Sequence, residues 1–158
     1  MKLDILSENL FIIINKIIEN QDIVKMVNYD VINPLLQPAF TNPKSLFMTR
    51  IFPYPYSGII SETQTQIRVY YGKTNINIIE QTPIIFDILT HESLYMIKDQ
   101  NNVSLLRPYE IANRITQQFD KNSIGTIGVL KFSEAIPIPI EGNYQMLRLI
   151  ANMMTIGK

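Results

Sequence analysis

The residues best suited to chemistry in this sequence lie in the stretch FDILTHESLYMI, residues 86–97, which holds the only histidine, His91. A histidine followed by glutamate is typical of the H-E-x-x-H zinc motif, in which two histidines one helical turn apart bind the metal. The fifth position here is Tyr95, and the chain has no cysteine. A zinc site would then need mostly carboxylate ligands, which zinc rarely uses in that number. We therefore expect no metal at His91 and no cofactor.

His91 could also act as a general base if a carboxylate orients its ring. Asp87 lies on the same face of a strand, but four residues at about 3.3 Å each separate the two by roughly 13 Å. Glu62, Asp99 and Glu110 are not distinguishable from surface charges, and no serine lies in a G-x-S-x-G elbow. We favour a strand-end histidine that packs its ring and hydrogen-bonds the backbone. The alternative is a small α+β enzyme or ligand-binding domain with a pocket near His91.

The remaining motifs point away from catalysis. The glycines of GTIG, residues 125–128, precede the strand-like VLKF rather than a helix, so this segment lacks the context of a phosphate-binding loop. The carboxylates form no paired pattern typical of glycoside chemistry or of a hard-cation site. We predict a structural or binding protein that is not an enzyme.

The amino-acid composition argues against two classes of binding partner, nucleic acids and membranes. Lys+Arg and Asp+Glu number 14 each, so the formal net charge is zero, and the basic residues are scattered. A phosphate-binding protein usually has a basic excess or stripe, so we expect no sequence-specific nucleic acid partner. No segment reaches the roughly 18 uninterrupted apolar residues of a membrane span. We expect a soluble intracellular protein with no membrane partner and, at 158 residues, a single domain over residues 1–158.

Apolar spacing predicts helices at the start and in the middle of the chain. Residues near 5–20 have a broad apolar face, with Asp4 or Ser7 as the cap. A short helix, DIVKMV, follows with Asp22 as its cap. The third helix is RPYEIANRITQQF, with Pro108 at its first position and its end at Asn122 or Gly125. Its predicted buried face consists of Ile111, Ile115 and Phe119.

Strand patterns fill the rest of the chain. TQIRVYY alternates Ile67, Val69 and Tyr71 with polar residues, and PIIFDILTH pairs with it through a ragged hairpin loop. LYMIKDQNNVSLL and TIGVLKF predict further short strands, and SEAIPIPIEGN is a proline-broken loop or edge. YQMLRLIANMMTI has helix propensity but could also be a strand. The fold class is α+β, with an antiparallel sheet of about four strands flanked by the N-terminal helix and the middle helix.

Residues 28–62 form a long segment rich in proline and aromatic residues, here called the arm. Its five prolines are too closely spaced for a long helix or a central strand, and its apolar content is too high for a solvated linker. Two interpretations are open. The arm is an irregular cover over one end of the core, or it packs on a neighbouring subunit.

The order of these features resembles small neck proteins of tailed bacteriophages and is similar, more narrowly, to the tail terminator and head-tail joining group. The resemblance covers roughly residues 60–135, and its most specific pieces are His91 and the Arg107-Pro108 helix start. It runs through TQIRVYY, FDILTHESLY, LLRPYEIANRITQQF and IGTIGVLKF. The resemblance implies an α+β subunit of a ring, commonly hexameric, that closes the tail tube and docks it to the head connector.

The resemblance also implies partners and a location. We expect a homo-oligomeric ring that contacts neighbouring neck and tail-tube proteins in the virion, after synthesis in the host cytoplasm. Rigid aromatic residues concentrate interface energy, and prolines leave the nearby isoleucines without a ladder that could bury them fully. The predicted interface residues are Phe52, Tyr54, Tyr56, Ile136, Ile138 and Ile140.

Overall fold

The computed structural model describes residues 3–120 and 128–154 of the chain. The helices are α1 (Asp4–Glu19), α2 (Gln21–Asn28) and α3 (Arg107–Phe119). The strands are β1 (Ile51–Phe52), β2 (Thr65–Tyr71), β3 (Ile84–His91), β4 (Met96–Lys98), β5 (Ser104–Leu106), β6 (Val129–Ile138) and β7 (Tyr144–Met154). The predicted α+β class is confirmed.

Five strands form one mixed sheet in the order β1-β2-β3-β7-β6, and β4 and β5 form a separate hairpin. Strands β2, β3, β7 and β6 pair antiparallel, as predicted, whereas the two-residue β1 from the arm pairs parallel with β2. The YQMLRLIANMM segment is a strand and not a helix. Both of its edges are paired, with β3 on one side and β6 on the other, and this pairing overrides its helix propensity.

All three helices pack on one face of the sheet, here called the helix face, and contribute to its main core. The predicted buried face of α3 is confirmed, since Ile111, Ile115 and Phe119 are buried and the Phe119 ring lies 6.1 Å from that of Phe86. Pro108 is the second residue of α3, because the helix begins at Arg107. None of the helices in the described parts of the chain has both the length and the apolar character of a membrane span.

Two helix caps differ from the prediction. Helix α1 begins after Leu3 without a side-chain cap, because Asp4 already lies in its first turn. Helix α2 is capped by Asn20, whose side-chain oxygen accepts hydrogen bonds from the backbone N–H groups of Asp22 and Ile23. The predicted end of α3 at Asn122 or Gly125 lies outside the described residues, as does GTIG except for Gly128.

The arm is fixed to its own chain by side-chain hydrogen bonds. The Gln21 side-chain amide donates a hydrogen bond to the carbonyl of Phe40 and accepts one from the Phe40 N–H. The amide therefore pairs with this arm residue through the same two groups that a neighbouring strand would use. The Arg50 guanidinium binds the Asp30 carboxylate at 2.8 and 2.9 Å. Strand β1 is the edge of the sheet next to β2, and the arm residue Tyr54 that follows it lies over Arg68 on the second face of the sheet, here called the arm face.

The predicted exposure of the polar residues of β2 is wrong, because the arm covers them. Alternation predicted that Gln66 and Arg68 face water, but they are only 3% and 8% exposed. Ile67 and Val69 are buried on the helix face as expected. Because the arm covers the other face, β2 is buried on both sides despite its polar residues.

Candidate interaction surface and the His91 cleft

His91 ends β3 and is held locally. Its Nδ1 accepts a hydrogen bond from the Ser93 backbone N–H at 3.2 Å and lies 2.7 Å from the Ser93 hydroxyl oxygen. Its ring packs edge-on against Tyr144, with ring centroids 5.2 Å apart. Asp87 does not orient the ring, because its carboxylate is bound elsewhere. Packing and a backbone hydrogen bond are the contacts expected of a strand-end histidine.

A cleft of about 720 Å³ lies beside His91. Residues 56–63, which are the end of the arm and the residue after it, form one wall, and the β6–β7 loop forms the other. The Tyr144 hydroxyl holds the walls together, since it donates to the Glu62 carbonyl and accepts from the Gln64 N–H at 3.1 Å. The lining includes the carboxylates of Glu62 and Glu141 but neither lysine nor arginine. Within the described chain, no group of three or more histidine, cysteine or acidic residues could hold a metal ion.

A charged network crosses the arm face at the centre of the sheet. Asp87 is 1% exposed, and the Arg148 guanidinium binds its two carboxylate oxygens at 2.8 and 3.0 Å. The Tyr70 hydroxyl donates to the same carboxylate at 2.5 Å. Burial, together with this hydrogen bond to Asp87, raises the pKa of Tyr70 to about 12. The hydrogen bond to Asp87 also raises the pKa of Arg148 above its usual value. The network is internally satisfied and fixes the Arg148 side chain on the sheet surface.

Arg68 lies next to this network, under the arm. Its guanidinium carbon sits 3.8 Å from the centre of the Phe52 ring and 5.2 Å from that of Tyr54. Burial lowers the pKa of Arg68 from its usual value, and the electron-rich faces of the two rings offset part of the lost hydration. Phe52 is only 9% exposed as a result. It belongs to the interior of the chain, whereas Tyr54 remains exposed.

The structure brings the two predicted interface segments together on the arm face. Ile136 and Ile138 are the cross-strand partners of Arg148 and Met146, so they share that face. Tyr56, Ile138 and Ile140 pack against one small apolar cluster, which consists of Leu89, Tyr144 and Met146. Apart from Phe52, the predicted interface residues are half-buried or exposed. Segments some 80 residues apart in sequence therefore form one partly exposed apolar surface.

The sequence analysis missed Arg107, which is fully buried. Its Nε donates to the Leu94 carbonyl at 2.7 Å, Nη1 donates to the carbonyls of Met26 and Tyr29 at 2.5 and 3.1 Å, and Nη2 donates to that of Val31 at 2.6 Å. Burial lowers the pKa of Arg107 to about 10, so it stays charged at neutral pH. The only sequence signal was an arginine directly before the proline of a helix start, which does not distinguish a buried cation from an exposed one.

Comparison with known proteins gives one family. The family model named YomW matches residues 20–153, which include α2, α3 and nearly all of the sheet. No curated protein and no solved structure matches the chain.

Proposed function

This chain belongs to the YomW family, which is phage-derived, and from that membership we propose that it is a non-enzymatic structural protein of a phage particle. The proposed role is a subunit of a neck ring that terminates the tail tube and joins it to the head connector. The ring, commonly hexameric in the proteins that the chain resembles, contacts neighbouring neck and tail-tube proteins. With zero formal net charge, its lumen lets DNA pass without binding it tightly.

The observation that carries this proposal is the shared apolar surface on the arm face. Tyr54, Tyr56 and the isoleucines of the β6 end leave apolar area exposed beside a rigid Asp87–Arg148 pair. A preformed surface of this kind supports docking, because little side-chain freedom is lost on contact. The α+β fold with helices packed on one face of an antiparallel sheet also agrees with what the resemblance implies.

The test is to find the protein in purified particles and to disturb the surface without disturbing the fold. Tyr54→Ser and Ile136→Ser should leave the purified chain folded and reduce its incorporation into particles, as measured by immunoblot and electron microscopy. Phe52→Ser is the matched control, because it removes an interior ring and should destabilise the chain itself. Absence of the protein from particles, or normal assembly with both surface variants, would refute the proposal.

The cleft beside His91 favours a second candidate, a small-ligand binding domain. Its volume of about 720 Å³ lies within the range of ligand sites, roughly 300–1,000 Å³. Since the lining has carboxylates without lysine or arginine, an amine is the ligand class to test first. A thermal-shift series with small alkyl and aryl amines would support this candidate if the melting temperature rises and His91→Ala removes the rise.

A further inference from the structure

Residues 53–63, the last part of the arm and the residue after it, lie between β1 and β2 and are here called the lid. Both ends of the lid are anchored at the same edge of the sheet, because Ile51 and Phe52 of β1 pair with Ile67 and Arg68 of β2. A surface segment whose two ends lie close together has the form of an Ω-loop. Lifting the lid therefore breaks no strand pair of the sheet.

The lid contacts the sheet through side chains at three points. Tyr54 lies over the Arg68 guanidinium, whose carbon is 5.2 Å from the ring centre. Tyr56 and Ile60 pack against the small apolar cluster of the arm face. The end of the lid is bound to the hydroxyl of Tyr144. The lid is thus held by a few side-chain contacts and not by a strand ladder.

The backbone of the lid contributes little to holding it closed. Within the part of the chain that the structure describes, no backbone group of residues 53–61 forms a hydrogen bond. Pro53 and Pro55 have no N–H to donate. Gly58 has a φ of +88°, and no heavy atom lies within 4 Å of the position that its Cβ would take. A glycine in open space changes its dihedral angles at low cost, so Gly58 gives the lid a pivot.

Tyr144 is the polar tie between the sheet and the end of the lid. Its hydroxyl donates to the Glu62 carbonyl and accepts from the Gln64 N–H at 3.1 Å. Its ring is 6% exposed and packs edge-on against His91, so the phenol is held in place from the side of the sheet. One hydroxyl group therefore acts as a latch for the lid.

The sheet surface beneath the lid is polar. Arg68, Asp87 and Arg148 are cross-strand partners and form one row across β2, β3 and β7. Arg68 is 8% exposed, and its guanidinium donates to the Gln66 side-chain oxygen at 2.8 and 3.2 Å. It takes part in none of the salt bridges within residues 3–120 and 128–154. Burying a cation without a carboxylate costs free energy, so the return of water to Arg68 offsets part of the contacts that an opened lid loses.

From these observations we propose that the lid opens as a unit from the arm face and closes again while the rest of the fold stays intact, with the Tyr144 hydroxyl as its latch. The closed chain presents Tyr54 and Tyr56, whereas the open chain presents the Arg68 cation. Opening also removes one wall of the cleft beside His91. A partner that binds only one of the two forms shifts the population towards that form. This inference goes beyond the proposed function and does not depend on it, because the motion belongs to the isolated chain.

The test is thiol labelling, since the chain has no cysteine and one introduced thiol reports on one position. Leu89→Cys places a thiol in the cluster beneath the lid, and Thr90→Cys places one on the helix face of the same strand; both native residues are 0% exposed. The labelling rate of the folded variant, divided by its rate in urea, gives the fraction of chains with an accessible thiol. Urea unfolding gives the globally unfolded fraction of the same variant. The accessible fraction of Leu89→Cys should exceed its unfolded fraction roughly a hundredfold or more, whereas the two fractions should agree for Thr90→Cys.

Two second substitutions in the Leu89→Cys chain then test the latch. Tyr144→Phe removes the hydroxyl and keeps the ring, and it should raise the accessible fraction roughly tenfold because two hydrogen bonds are lost. Ile111→Val is the matched control, because it weakens the core on the helix face by a similar amount. It should raise the unfolded fraction and leave the accessible fraction unchanged, since the open chain keeps the Ile111 contacts. Gln66→Cys, at a polar residue that is 3% exposed beneath the lid, replaces Leu89→Cys if the latter does not fold.

The proposal is overturned if thiols beneath the lid react no faster than global unfolding allows, because the lid then stays closed until the whole chain unfolds. An equal excess for Thr90→Cys would also overturn it, since β3 itself would then open. Tyr144→Phe without effect, or Ile111→Val with the same effect, would exclude the latch. Labelling is measured on the purified chain, so absence of the protein from particles would refute the proposed function and leave the result for the lid unaffected.

Discussion

Replacing Arg107 with methionine tests whether the buried cation stabilises the fold. Each buried carbonyl left without a donor costs about 1–3 kcal/mol, so the buried carbonyls of Leu94 and Met26 would cost roughly 2–6 kcal/mol, and the part-buried carbonyls of Tyr29 and Val31 would add a smaller amount. Removing the guanidinium returns several kcal/mol of its desolvation penalty. Because the four acceptors belong to the backbone and cannot be replaced as well, we expect a net loss of about 3 kcal/mol or more. The total free energy of unfolding of a native domain is about 5–15 kcal/mol, so urea unfolding would show this loss clearly.

Arg114→Met provides the matched control on the same helix. Arg114 pairs with the half-exposed Asp22 at 3.0 Å, and exposed pairs of this kind contribute at most about 1 kcal/mol. Arg107→Lys should be intermediate, since an ammonium keeps the charge but has only three donors. If the free energy of unfolding of Arg107→Met lies within about 1 kcal/mol of the wild-type value, and the slope of that free energy against urea concentration is unchanged, our account of this residue is wrong.

Three further predictions concern the core, the charged network and the cleft. Phe119→Ala should lower the free energy of unfolding by about 3 kcal/mol or more, while the exposed Gln117→Ala should change it by less than about 0.5 kcal/mol; equal melting temperatures would show that the wrong face was assigned. Burial raises the pKa of Tyr70 in the folded chain to about 12, so its contribution to stability is complete below pH 10, the usual pKa of tyrosine, and is lost as the pH rises toward 12. Tyr70→Phe should therefore flatten the decline of the free energy of unfolding measured in this window. His91→Ala should cost about 1 kcal/mol and leave assembly intact; a turnover activity lost in a folded His91→Ala variant would contradict the structural role.

The sequence predicted those elements whose pattern is local. The helical spacing of Ile111, Ile115 and Phe119 reflects one buried face, and that face packs as expected. Strands β2 and β3 were also recognised, because β-branched and aromatic residues alternate or cluster over seven or eight positions. Local sequence pattern therefore suffices for these elements, even though the polar side of β2 is covered by the arm rather than by water.

The choice between helix and strand stayed open for β7, both faces of which carry apolar residues. In β7, Leu147 and Leu149 face the helices while Met146 packs on the arm face, so apolar residues follow one another without alternation. The segment then has the composition of a helix as much as of a strand. Only its position between two other strands decides the outcome, and no local pattern records that position.

For the exposed surfaces too, the sequence predicted which segments make contacts but not which of their side chains stay exposed. Proline and aromatic content indicated that the arm makes contacts, but not that Phe52 would lie against Arg68 within the same chain. Met96 and Leu106 were assigned to short strands, and nothing in their spacing showed that the hairpin lies outside the main sheet. Exposure of an apolar residue depends on which distant segments fail to cover it, and is therefore a property of the tertiary structure.

The strand order has a consequence for synthesis on the ribosome. Strand β3 pairs with β7, in a register that joins Ile84 to Ala151, so the centre of the sheet is incomplete until more than 60 further residues have been translated. The ties from Arg107 to Met26, Tyr29 and Val31 span similar separations. Non-local pairings of this kind slow folding and leave an apolar strand edge exposed on the nascent chain. Overproduced chains should therefore depend on chaperones until β7 inserts, and truncation before Tyr144 should yield aggregates instead of a smaller folded domain.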